Sequence, residues 1–313
     1  MTSSYEDAAQ VMERIGKIGI SDSTIWRRVK RWGGRFEALE KKKEEKANEL
    51  PQRGVAPAQA VVSGAVMGAA MDGAMVHIRK EGWKELKVGC LFAIEPEAVR
   101  DEKSGEIVEQ ASARHQSYVT HLGEPAPFGR KMWAEAQERQ WSAAAKTQVL
   151  GDGAVWIWNV ADEHLLPKFM TTDWYHAAEH LHAAAQSYYP DKSPAAVRWY
   201  NAAETLLYQG HAEQIASMLT QRADQLPAQA DSLRSHATYF ENNKRRMNYM
   251  QNREDGLLIG SGAVESEAKQ FKARFCGPGM RWSRAGINRL LPIRAAVMQN
   301  SFDSDWKSVY SPS

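Results

Sequence analysis

Between residues 64 and 122 the chain carries three apolar stretches in a row with nothing helical between them. They are GAVMGAAMDGAMVHIR, KELKVGCLFAIEP and EIVEQASARHQSYVTHLG, parted only by turns at Gly82-Trp83 and Asp101–Gly105. Stretches joined this closely pair as antiparallel neighbours, so three strands form a meander. The pattern then changes. A helix is expected over about 127–145, carrying Met132, Trp133 and Trp141. KTQVLGDGAVWIWN reads as a short strand ending at Gly151-Asp152-Gly153 and turning into a helix. PKFMTTDWYHAAEHLHAAAQ repeats strand then helix, its strand ending at Asp173. A meander followed by alternating helices and strands is an α/β order. It fits a mixed sheet of strand order 3-2-1-4-5, the ribonuclease H-like fold, over residues 61–176.

Residues 177–256 hold no strand pattern. AAVRWYNAAETLLYQG, HAEQIASMLTQRADQL and SLRSHATYFENNKRRMNYMQNR are successive amphipathic helices, so this segment is expected to be an all-helical insertion. Lys244, Arg245, Arg246 and Arg253 form a local basic patch in it. Residues 257–313 then supply the last core helix and a basic C-terminal segment.

Ahead of the sheet, YEDAAQVMERI is an amphipathic helix, Gly16 to Gly19 a turn, and Ser21-Asp22-Ser23 offers N-caps for a second helix, TIWRRVKRWG. Helix, glycine turn and a helix bearing Arg27, Arg28, Lys30 and Arg31 is the layout of a helix-turn-helix over residues 1–35, with the cations on phosphate. Residues 36–60 begin with FEALEKKKEEKANEL and are expected to be an exposed helical linker closed by Pro51 and Pro57. The net charge is only +2, so any nucleic-acid surface must be local. Two cysteines, Cys90 and Cys276, exclude a disulfide framework and a cysteine zinc site. No apolar run reaches about 18 residues. A soluble cytoplasmic protein is expected, nucleoid-associated when on DNA.

The acids carry the chemistry. Asp72 lies inside the first strand, where a carboxylate is costly unless paired or bound to metal. Asp152 sits between glycines at the tip of the fourth strand, the expected neighbour of the first. Glu265 follows the Gly260-Ser261-Gly262 turn and opens a helix whose next turns carry Lys269, Lys272 and Arg274. Three hard oxygen ligands converging from distant positions suit Mg²⁺ or Mn²⁺, in a pair for phosphodiester chemistry. Taken singly, each acid is equally a turn or cap residue. Beyond the Gly277-Pro278-Gly279 stop, Trp282 between Arg281 and Arg284 either stacks on an exposed base or seals the core under a helix capped by Ser283.

GDGAVWIWN, DWYHAAEHL and IGSGAVESEAKQ…GMRWSRAGINRLLPIRA resemble the signature blocks of ISKra-type insertion-sequence transposases, of the Mutator-like DDE superfamily. The resemblance covers roughly residues 64–300. It implies a ribonuclease H-like core with a helical insertion before the last acid, cleavage of transposon ends and strand transfer by 3′-hydroxyl attack on target DNA. By position it implies Asp72, Asp152 and Glu265 as the catalytic, metal-holding acids. Asp173 and His176 match the family's D-x-x-H motif, with His176 contacting a phosphate or orienting an acid. It further implies a homodimer or higher assembly on DNA. Members often carry a longer region ahead of the helix-turn-helix, so terminal-repeat recognition is expected to differ or the copy to be shortened. Two other readings use the same residues. One is a DNA-binding regulator or domesticated, catalytically inactive transposase. The other is a zinc peptidase, because His176-Ala177-Ala178-Glu179-His180 spells H-x-x-E-H.

Overall fold

The computed structural model describes residues 4–49, 63–100, 105–190, 192–260 and 262–310; for residues 63 and 263–268 it describes the backbone only. Pro51, Pro57 and residues 101–104 of the second hairpin turn therefore lie outside the described residues.

Helices α1 (Tyr5–Arg14) and α2 (Asp22–Asn48) open the chain. The sheet follows: β1 (Ser63–Ile78), β2 (Gly82–Arg100) and β3 (Ile107–Leu122), then α3 (Pro125–Glu138), β4 (Ala144–Gly151), α4 (Val155–Val160), β5 (Phe169–Thr172) and α5 (Trp174–Gln186). The helical segment continues with α6 (Pro194–Tyr208), α7 (Ala212–Gln225), α8 (Ala230–Asn243) and α9 (Tyr249–Glu254). The chain closes with α10 (Gly262–Phe275), α11 (Arg284–Met298) and α12 (Phe302–Tyr310). The five strands form one mixed sheet of order β3-β2-β1-β4-β5, as expected. β1, β2 and β3 are antiparallel, while β1–β4 and β4–β5 are parallel.

Alternation along the strands divides two cores. Met67, Ala69 and Met71 of β1 and Val149 of β4 face Phe128, Met132 and Trp133 of α3 and Ile157 and Trp158 of α4. Ala70, Val76 and Ile78 of β1 and Leu150 of β4 face Phe271 and Phe275 of α10 and Ile287, Leu291 and Ala295 of α11. Burying side chains of this size contributes about 1.5–3 kcal/mol each. Close packing explains Gly68: a Cβ there would lie 2.1 Å from the Phe92 ring. Helices α5–α9 build a third core of their own around Leu181, Leu207, Ile215, Leu219, Leu233 and Phe240.

Four expectations change. The helix expected over 127–145 stops at Glu138, because Gln140 adopts a left-handed conformation (φ 58°). Trp141 then sits in a 3₁₀ turn, buried, its indole N–H on the Leu165 carbonyl at 2.8 Å. The stretch 232–253 is two helices, broken by a 3₁₀ turn at Lys244–Arg246. The boundary at residue 35 falls inside α2, which runs unbroken for 27 residues. Its second half is docked rather than solvated. Phe36 and Ala47 are buried, and α2 contacts both α3 and α11, which pack on opposite faces of the sheet. Ion pairs fix it there: Glu40–Lys131 at 3.0 Å, Lys43–Glu138 at 3.2 Å and Glu44–Arg130 at 3.5 Å. The unforeseen α12 packs on α2 through Trp32–Trp306 (ring centroids 4.5 Å) and Phe36–Phe302 (5.7 Å). Among the described residues no helix is long and apolar enough to cross a membrane.

Candidate active site

Strand register sets three aspartates in one row. Ala70 of β1 is opposite Leu150 of β4, and Gly151 of β4 is opposite Thr172 of β5. Two residues on from the first pair, and one on from the second, come Asp72, Asp152 and Asp173. Parallel neighbours lie about 4.8 Å apart, so the first two carboxylates leave backbones within reach of a common ion.

Their side chains are used differently. Asp72 is half-buried and faces α10, where its Oδ2 meets the Lys272 ammonium at 2.6 Å. Asp152 is half-buried, and its Oδ1 accepts the Ala154 N–H at 2.8 Å, an Asx turn that starts α4. One such bond leaves most of the carboxylate's acceptor capacity. Asp173 is buried and is the N-cap of α5, its Oδ1 accepting the N–H groups of Tyr175 (2.8 Å) and His176 (3.2 Å). The row thus holds Asp152 with spare acceptor capacity, Asp72 paired with Lys272, and Asp173 committed to the helix cap.

The chain returns to this row along a path built into the sheet. Lys146 of β4 donates to the Asp255 carbonyl at 2.7 Å. Two residues on, the fully buried Gln148 brackets Leu258: its Nε2 donates to the Leu258 carbonyl (2.7 Å) and its Oε1 accepts the Leu258 N–H (3.1 Å). The Trp174 N–H then donates to the Ile259 carbonyl at 3.0 Å. Segment 255–259 therefore climbs beside β4 to the end of β5. There α10 begins against Tyr175, whose ring would lie 3.0 Å from a Cβ on Gly260 and 3.3 Å from one on Gly262. Glycines at the expected Gly260-Ser261-Gly262 turn let the backbone come that close; Ser261 itself is outside the described residues. From Tyr175 the helix crosses to Lys272 at Asp72, about 15 Å for ten residues. Glu265, in its first turn, lies along the helix between those two contacts; its side chain lies outside the described residues.

The cations separate into two groups. Arg27, Arg28, Lys30 and Arg31 are exposed on α2, and Lys269 and Arg281 are exposed beyond Glu265. Lys272 is held by Asp72. Arg274 is half-buried with its guanidinium against the Phe275 and Trp282 rings, and burial holds its pKa below the ordinary arginine value. Arg284 grips Glu81 with Nε at 3.0 Å and Nη2 at 2.6 Å. Trp282 takes the core-closing position of its two readings. Its backbone bridges β1 (N–H to His77 O, 3.0 Å), and its indole donates to the Phe275 carbonyl at 2.9 Å. Ser283 caps α11 as expected. In the insertion, Lys244 pairs with Glu213 and Glu241, and Arg246 covers the Trp158 ring at 4.6 Å.

The histidines of the H-x-x-E-H stretch point to other partners. His176 Nδ1 lies 3.5 Å from Glu179, while His180 Nδ1 meets His236 Nδ1 at 3.0 Å. Burial first, then the neighbouring His236 and His176, pushes the His180 pKa down to about 4. Among the described residues no three of His, Cys, Asp and Glu group to hold a metal. Gln148, Tyr239 and the Asp72–Lys272 pair were not singled out in the sequence. A glutamine inside the apolar KTQVLG strand was the one available signal. Comparison with models of protein families finds no match to the chain, and comparison with curated protein sequences finds none.

Proposed function

We propose that the chain is a DDE-type DNA transposase of an insertion sequence, built on a ribonuclease H-like core, that cuts transposon ends and joins them to target DNA. The observation that carries this is that adjacent parallel strands set Asp72, inside β1, beside Asp152, at the tip of β4, with the helix of Glu265 running from Tyr175 to Lys272 at Asp72. The donors are hard carboxylate oxygens of the kind Mg²⁺ and Mn²⁺ take. Asp72 already accepts a cation, the Lys272 ammonium, in this arrangement. A pair of such ions, when bound, supplies activation of a water or 3′-hydroxyl and neutralises charge on the leaving oxygen.

The protein's own part is to hold and orient. Arg27, Arg28, Lys30 and Arg31 of α2 present an exposed cationic face for phosphates, and Lys269, one turn before Lys272, and Arg281 add further exposed cations. Asp173 fixes the start of α5 and with it His176, which stands at the edge of the row to meet a phosphate or steady an acid. Pairing two transposon ends requires two copies of the chain.

The test is Asp72→Ala, Asp152→Ala and Glu265→Ala on a DNA end with Mg²⁺. Each is expected to abolish cleavage and leave end-binding intact. Cleavage that survives Asp152→Ala removes this acid from the site. A wild-type protein that binds ends but never cuts them points to the regulator reading instead.

A further inference from the structure

Helix α8 of the insertion reaches back to the loop of the second acid. Tyr239 donates its hydroxyl to the main-chain carbonyl of Asp152 at 3.0 Å. Its ring lies flat on the His180 imidazole, centroids 3.6 Å apart and planes 6° from parallel. His180 is held in turn by His236, one helix turn before Tyr239 on α8. On the other side of the loop, Gly153 has φ +109°, and a Cβ there would stand 2.8 Å from the Tyr239 ring and 3.0 Å from the Asn243 amide. Asn243, buried, receives the Trp158 indole N–H at 3.3 Å, so α8 also grips α4. The loop that carries Asp152 is therefore clamped by the insertion, not by the sheet alone.

We infer that Tyr239 is a positioning residue for Asp152: its hydroxyl sets the carbonyl, and through it the direction in which the carboxylate leaves the β4 tip. The inference rests on the function proposed above. The partners of an acid's backbone orient the acid as a ligand's outer contacts do, and their loss typically weakens metal binding about 10–100-fold. The phenol carries its proton at neutral pH and can donate, since an ordinary tyrosine titrates at about pH 10. The placement also gives the insertion a task beyond spacing: a shift of α8 would move the second acid.

Tyr239→Phe tests this, since it deletes the hydroxyl and keeps the ring on His180. Full-length wild type, Tyr239→Phe and Asp152→Asn are titrated with Mn²⁺ alone, followed by the paramagnetic signal of the free ion. Amide exchange is read in parallel at Gly153, Ala154 and Val155. The expected result is Mn²⁺ affinity reduced about tenfold or more in Tyr239→Phe, with faster exchange at Ala154 and an unchanged melting profile. Unchanged affinity, or unchanged exchange at Ala154, overturns the inference. Asp152→Asn that binds Mn²⁺ as tightly as wild type overturns the proposed function itself, whatever Tyr239 does.

Discussion

Gln148→Leu is expected to loosen the return path of the chain more than it damages the sheet. Gln148 has no exposed surface and makes three hydrogen bonds, two to the backbone of Leu258 and one to Thr171 Oγ1 at 2.8 Å. Thr171 keeps a partner in the variant, the Asn252 amide at 3.0 Å. Leu258 does not: its N–H and carbonyl both lose their bonds. Two orphaned groups at about 1–3 kcal/mol each make about 2–6 kcal/mol, and the added apolar side chain returns about 1 kcal/mol. A loss of about 3 kcal/mol is expected. In urea the midpoint should fall with an unchanged slope, and the Leu258 amide should exchange faster than those of β4. Gln148→Glu serves as a companion. Its buried carboxyl is expected to have a raised pKa, so the folded state binds more protons and the penalty grows as pH rises above about 4.3. A loss below about 1 kcal/mol for Gln148→Leu, or Leu258 exchange at the wild-type rate, would refute the idea that this glutamine ties segment 255–259 to the sheet.

Gly153→Ala should cost roughly 1–3 kcal/mol in urea unfolding, because it puts a Cβ at a left-handed φ against the Tyr239 ring; a cost near zero would mean that α8 yields easily. Stability should decline as pH falls from about 6.5 towards 4. His121 and His180 both have pKa values pushed down to about 4, chiefly by burial, so the unfolded chain binds protons first. The double change to glutamine should flatten that decline in melting curves taken across the range. Arg28→Ala should lower the salt slope of DNA binding by about one, whereas Arg284→Ala, whose guanidinium is held by Glu81, should leave the slope unchanged.

The strand order was legible because each strand carried its own punctuation: glycines at hairpins and an aspartate where a parallel strand stops. The caps Ser21 and Ser283 were legible for the same local reason. The charged run after Phe36 was misread because its partners are remote. Glu40, Lys43 and Glu44 look solvated until Arg130, Lys131 and Glu138 arrive from another helix. The stop at Gln140 gives no sequence signal, since a left-handed glutamine is chosen by the packing of Trp141 and not by its own preference. At the site, Asp72 announced itself as an acid inside an apolar strand and Asp152 as one between glycines at a strand tip. Tyr239 did not, because one tyrosine among ten on an amphipathic helix looks like any other core-facing ring.

Helix α2 is a lever. Its first turns bear the exposed cations, and its last turns are rooted between α3 and α11, with about 40 Å of continuous helix from one end to the other. On the proposed function, a double strand gripped at the tip would be held at a set distance and a set angle from the sheet, with no swivel between. Adding a single residue just ahead of Trp32 would turn the cations by about 100° and advance them by about 1.5 Å. On that proposal the same cations would then face away from the same DNA, although no contact in the sheet had changed.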